Sequence, residues 1–170
     1  MGQERGWTVE VRDPGETERL ARTLGQAAEV PSVLVLTGPL GAGKTTFSRG
    51  LAAGLGADPS QVHSPTFALV HEYPGKVPLY HFDAYRLATA AEFADLGPEE
   101  YFDRPGVSVV EWGERVQEYL PPDHLEVTLA LDDHKPNARR IRFAARGPKS
   151  ERWLDAVRRA WEEQGGSCGS

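Results

Sequence analysis

The stretch "SVLVLTGPLGAGKTTFSRG", Ser32 to Gly50, decides the reading of this chain. Ser32 to Thr37 is a short apolar run with side chains fit for both faces, as in a strand buried inside a parallel sheet. The block after it is spaced G-x-x-x-x-G-K-T: Gly38, four residues, then Gly43-Lys44-Thr45. Each residue type in this spacing has a physical task. Glycine backbone reaches positive φ and brings N–H groups close to an anion. A helix beginning at about Lys44 aims its first amides, and the positive end of its dipole, at the same place. Lys44 supplies a compact cation for β- and γ-phosphates. Thr45 offers a hydroxyl to Mg²⁺, which keeps most of its water shell, and Thr46 is placed toward the α-phosphate. A plain strand-to-helix turn explains one glycine, not three with a lysine at the helix mouth. The stretch therefore predicts a nucleotide site in which Gly38, Gly41, Ala42, Gly43, Lys44, Thr45 and Thr46 take part.

A site of this kind needs an acidic group for its metal, usually at the end of a neighbouring strand. Two residues qualify. Asp83 ends "PLYHFD" and Glu111 ends "VSVVE". Both follow apolar strands, so both fall at the carboxyl edge where α/β sheets bind ligands. Either can hold the Mg²⁺ shell through water, and Glu111 can also orient or deprotonate an attacking water. A third element is "HSPTF", His63 to Phe67, where Thr66 is the candidate for sensing γ-phosphate and Mg²⁺. The five histidines show no metal-ligand spacing, and no Asn-Lys-x-Asp set supports guanine specificity.

Outward from the site, the rest of the chain reads as alternating strands and helices. "WTVEV" (7–11) alternates as a short strand, and "DPGETERLARTLGQAA" reads as a helix capped by Asp13. "FALVHEY" and "VPLYHFD" form one predicted hairpin. "HLEVTLAL" and "RRIRFAA" form a second. "ATAAEFADLGPEEYFDR" is a broken helical stretch, and "GERVQEYL" reads as a short helix stopped by Pro121-Pro122. A last helix, from about Lys149 to Glu163, places Trp153, Leu154, Val157 and Trp161 on one face. The expected fold is α/β: a P-loop NTPase-like three-layer arrangement with a mixed, mainly parallel central sheet plus hairpins. One domain is expected over residues 1–163, with 164–170 as a disordered tail.

The net charge of −6 argues against nucleic acid bound by this chain alone, because such affinity rests on Lys and Arg against phosphates. The lone cysteine, Cys168, can make no internal disulfide. The apolar runs are far shorter than the ~20 residues of a membrane span. A cytoplasmic protein, away from membranes, is expected.

Taken together, "GPLGAGKTTFSRGL", "SPTFALVHEY", "YHFDAYRL" and "VVEWGER" resemble the TsaE family, formerly YjeE, in that family's order over roughly Leu36 to Arg115. Members are small bacterial P-loop ATPases needed to make threonylcarbamoyladenosine in tRNA. The resemblance implies ATP and Mg²⁺ as ligands, with Thr45 on the metal, Asp83 in the Walker-B-like place and Glu111 binding or tuning the metal site. It implies Trp112 beside the nucleotide and Thr66 as the switch threonine. It suggests further nucleotide contacts from Thr17 and from Arg139 or Arg140, although "KPNARR" departs from the family's usual Gly-Arg pattern. It also implies work with TsaB and TsaD, with tRNA met through those partners and a weak intrinsic ATPase. The alternative is a P-loop small-molecule kinase. Such kinases often carry an arginine-rich lid, whereas the region after Asp83 is acidic, with Arg86 and Arg104 at its ends.

Overall fold

The structure is a computed structural model that describes residues 5–62 and 69–165, apart from the side chain of Arg86. Thr66 and Cys168 lie outside the described residues. The strands are β1 (Arg5–Val11), β2 (Ser32–Thr37), β3 (Val70–Tyr73), β4 (Leu79–Asp83), β5 (Val107–Glu111), β6 (His124–Leu131) and β7 (Arg139–Arg146). The helices are α1 (Pro14–Gln26), α2 (Lys44–Gly54), α3 (Ala90–Asp95), α4 (Pro98–Phe102) and α5 (Pro148–Glu163). The strands form one sheet in the order β1-β7-β6-β2-β5-β4-β3. Its centre, β6-β2-β5-β4, is parallel, and antiparallel pairings add β7, β1 and β3 at the flanks. Both expected hairpins are present, β3–β4 and β6–β7.

Two apolar clusters show the layers. One joins Leu20 and Leu24 of α1, Phe47 and Leu51 of α2, and Trp153, Val157 and Trp161 of α5 to alternate strand residues such as Leu34, Val109 and Val127. The other joins the intervening strand residues Val33, Phe82 and Val110 to Phe93 of α3 and Phe102 of α4. Period-two alternation on the buried strands feeds the two layers. The tryptophans of α5 are core, as the helical spacing predicts. Trp153 and Trp161 are buried, and Trp153 Nε1 donates to the Leu24 carbonyl at 2.9 Å. "GERVQEYL" is not a single α-helix; it forms two 3-10 turns, Gly113–Arg115 and Gln117–Tyr119. Val116 between them turns into the second cluster, a burial that a straight helix starting at the strand end would not give.

The position of the glycine loop depends on how closely α1 approaches α2. Gly50 lies in that seam, where a Cβ would fall 2.3 Å from the Glu18 carbonyl oxygen and 2.8 Å from the Ala21 Cβ. Only a missing side chain allows this approach, so Gly50 fixes where α2, and hence the loop before it, sits against α1.

The far side of the domain is held by a carboxylate that the periodicity does not mark. Gly147 at the start of α5 has no side chain to cap the helix. Asp123, just before β6, does so instead. It accepts hydrogen bonds from the amides of Lys149 (2.8 Å) and Ser150 (2.9 Å) and from Ser150 Oγ (2.5 Å). Burial opposes its ionisation, but those three donors outweigh burial and hold its pKa below the usual aspartate value. Asp123→Ala is expected to cost about 1–2 kcal/mol, read as a lower midpoint in denaturant. Because the folded-state pKa is depressed, this contribution is present above the ordinary aspartate range and is lost as pH falls through the lowered value. The gap between wild type and variant should therefore close in acid. A gap independent of pH would contradict the assignment.

Candidate nucleotide-binding site

Strand β2 delivers the chain to the carboxyl edge of the sheet at Thr37, and α2 starts seven residues later. Between them Gly41 and Gly43 take φ of +81° and +102°, the left-handed region the spacing anticipates. Gly43 stands at the N-cap of α2, which has neither a side-chain cap nor an acidic residue in its first turn. Nothing on the helix itself competes with an external anion for that end. The cavity at this point, about 540 Å³, is lined by Leu40, Gly41, Gly43, Lys44, Thr45, Thr46, Asp83, Tyr85, Glu111 and Trp112. The loop and both carboxylates read from the sequence thus face one space.

Register explains the convergence. Strands β4 and β5 are parallel, with Asp83 opposite Glu111, and β5 lies beside β2 with Glu111 opposite Leu36. Asp83 and Glu111 are buried, at 8% and 7% exposure, and both line the cavity. Asp83 also accepts from the amide of Tyr85 at 3.1 Å, which starts the 3-10 turn Ala84–Arg86. Lys44 is buried; its ammonium donates to the carbonyls of Gly38 (2.5 Å) and Pro39 (3.1 Å). Burial lowers its pKa, while Glu111, Glu114 and Asp83 pull it back up. The cation is thus surrounded by opposite charge but hydrogen-bonded by loop carbonyls, from which a phosphate can draw it.

Trp112 follows Glu111 and has φ +60°, the only positive φ of a non-glycine among the described residues. Strain of this kind, roughly 1–3 kcal/mol, persists only where the surroundings impose it. Here the turn puts the indole ring 4.3 Å from Lys44 Nζ and 5.0 Å from the Tyr85 ring, forming one wall of the cavity.

Thr17, Arg139 and Arg140, which the resemblance suggests as nucleotide contacts, do not line this cavity. Thr17 is buried in α1, within reach of the Asp13 carbonyl at 3.5 Å, and does not line the cavity. Arg139 approaches the loop from behind: Nε donates to the Ala42 carbonyl (2.9 Å) and Nη2 to the Gly41 carbonyl (3.2 Å). Arg140 pairs with Glu10 at the surface. Arg139 and Arg140 line a second, smaller cavity with Glu10 and Arg12, not the one at Lys44. Ala42 is buried behind the loop.

A model of the family "Threonylcarbamoyl adenosine biosynthesis protein TsaE" matches residues 11–141. The chain belongs to the TsaE family. Among curated TsaE proteins, that of Bacillus subtilis is 42% identical over 150 residues, covering 86% of this chain and 90% of its own length. That of Treponema pallidum is 45% identical over 120 residues, covering 71% of this chain and 88% of its own length. The crystal structure of Bacillus subtilis YdiB superposes with a TM-score of 0.78 at 33% identity, over 94% of this chain and 99% of that one. The P-loop NTPase-like fold read from the glycine loop is therefore the fold of this TsaE protein. No helix among the described residues is long and apolar enough to cross a membrane.

Three residues at or beside the cavity escape the motif reading. Leu40, 72% exposed at the loop tip, and Tyr85, half exposed, line the cavity mouth. His81 is fully buried, with Nε2 3.0 Å from Glu111 Oε2. Its position two residues before Asp83, on the same face of β4, was a usable signal.

Proposed function

We propose that this TsaE protein binds ATP with Mg²⁺ in the loop cavity and hydrolyses it in support of TsaB and TsaD, during threonylcarbamoyl transfer to tRNA. One observation carries the reading. An uncapped helix N-terminus, a buried lysine, a threonine hydroxyl and two carboxylates from adjacent parallel strands all line the same space. The donor set suits the metal: Thr45, Asp83 and Glu111 offer hard oxygens, the ligands Mg²⁺ takes along with water. When bound, Mg²⁺ neutralises charge on the β- and γ-phosphate oxygens.

The chain's own residues then have distinct tasks. Loop amides and the α2 terminus orient the phosphates. Lys44 leaves the Gly38 and Pro39 carbonyls for phosphate oxygens. Asp83 fixes the metal's water shell, and Glu111 orients the attacking water and takes its proton. Trp112 excludes solvent from one side. A kinase would close arginines over the phosphates, but among the described lining residues Lys44 is the only cation. The test is an ATPase assay of the purified chain with and without TsaB–TsaD. Slow phosphate release alone and faster release with the partners is the expected result. No turnover in either condition, or turnover only with a small phosphate acceptor, contradicts the proposal.

Arg139 has a supporting task, since its guanidinium holds two loop carbonyls from outside. Arg139→Ala is expected to weaken binding of a fluorescent ATP analogue roughly 3- to 30-fold, the value of one or two charge-assisted hydrogen bonds after discount for exposure. Unchanged affinity in a titration would remove the brace from the account.

A further inference from the structure

Resting on the reading of Glu111 given above, we propose that His81 is the positioning residue that holds the Glu111 carboxylate in its working orientation. The argument starts from the strands. In the parallel β4–β5 ladder His81 is opposite Val109 and Asp83 is opposite Glu111. All four side chains therefore lie on the sheet face that carries α2. The His81 ring reaches diagonally across the ladder and places Nε2 3.0 Å from Glu111 Oε2. Both residues are buried, with His81 at 2% exposure. An ionised carboxylate only accepts hydrogen bonds, so the nitrogen facing it carries the hydrogen and donates. Nδ1 of the same ring has no partner among the described residues. Its contact with Glu111 is thus the polar anchor that the structure gives His81.

This arrangement divides the carboxylate's oxygens. Oε2 is occupied by His81, which leaves Oε1 for the cavity. Without that donor, Glu111 is free to turn toward Lys44, the cation lining the same space. Such a pairing draws the lysine from the phosphates and the carboxylate from the attacking water, and the donor at His81 prevents it. Tolerance at catalytic distances is small, so losing one orienting hydrogen bond is felt in turnover rather than in substrate affinity.

Two amide substitutions separate the positions of the ring nitrogens. Glutamine carries its nitrogen close to where Nε2 sits; asparagine carries it close to Nδ1, too short to reach Glu111. Steady-state ATPase in the presence of TsaB–TsaD, the dissociation constant of a non-hydrolysable ATP analogue with Mg²⁺, and thermal melting are measured for H81N, H81Q, E111Q and H81N/E111Q. H81N is expected to lower kcat at least tenfold with less than a threefold change in analogue affinity, and H81Q to recover most of kcat. In the E111Q background H81N should cost no more than about twofold. Unchanged kcat in H81N, equal losses in H81N and H81Q, or the full H81N loss repeated in the E111Q background each overturn the positioning role. If E111Q keeps wild-type turnover, the reading of Glu111 fails instead, and the two failures are told apart by that variant alone.

Discussion

Lys44→Ala is expected to weaken binding of ATP with Mg²⁺ by at least about 30-fold while leaving the fold in place. The figure corresponds to about 2 kcal/mol, a modest value for removing one member of a desolvated charge pair. The surroundings of Lys44 explain both halves of the expectation. The ammonium is buried, and burial lowers its pKa, so its charge is held at a cost that the neighbouring Glu111, Glu114 and Asp83 offset only in part. A triphosphate beside it reverses that balance, which is where the binding energy arises. Lys44 belongs to neither apolar cluster; its other contacts are the Gly38 and Pro39 carbonyls of the loop and the Trp112 ring at the edge of the second cluster. Melting within a few degrees of wild type is therefore expected. Isothermal titration with a non-hydrolysable analogue, beside a thermal melt, checks both. Normal affinity would detach Lys44 from the phosphates, and a collapse of the fold would make it a structural residue.

Glu111→Gln is expected to spare binding and to act on turnover. The amide is nearly the same size and still accepts from His81 Nε2, so the β4–β5 edge should keep its shape. It cannot take a proton from water. General-base assistance is worth about 10²- to 10⁴-fold, so turnover should fall at least about 100-fold with affinity changed only a few-fold. Phosphate release measured with TsaB–TsaD present, alongside analogue binding, gives the comparison. Turnover within tenfold of wild type would assign the base to another group, while a large loss of binding would make Glu111 chiefly a ligand to the metal.

Much of this was legible in the sequence because it is written in local spacing. The run from Ser32 to Gly50 gave the buried strand, the glycine loop and the helix, and the loop glycines take the positive φ values that such a turn requires. Asp83 and Glu111 were recoverable because each ends an apolar strand, and strand ends meet at the carboxyl edge whatever the strand order. What was not legible depends on pairing between distant segments. The diagonal contact of His81 with Glu111 follows from the β4–β5 register, which no spacing within either strand fixes. The cap of α5 by Asp123 crosses from one element to another. Arg139 was placed near the nucleotide on resemblance, and its donors in fact reach the Gly41 and Ala42 carbonyls from the back of the loop. Close helix contact at Gly50 likewise reads in sequence as an ordinary helical glycine, unfavourable by propensity, until α1 is seen against it.

The most direct measurement is a crystal structure of this chain with a non-hydrolysable ATP analogue and Mg²⁺. The account predicts the triphosphate against the amides that open α2, Lys44 Nζ moved from the Gly38 and Pro39 carbonyls to phosphate oxygens, and the cation beside Thr45 with Asp83 and Glu111 directed at its water shell. Analogue bound elsewhere, or a metal shell that neither carboxylate faces, would contradict it.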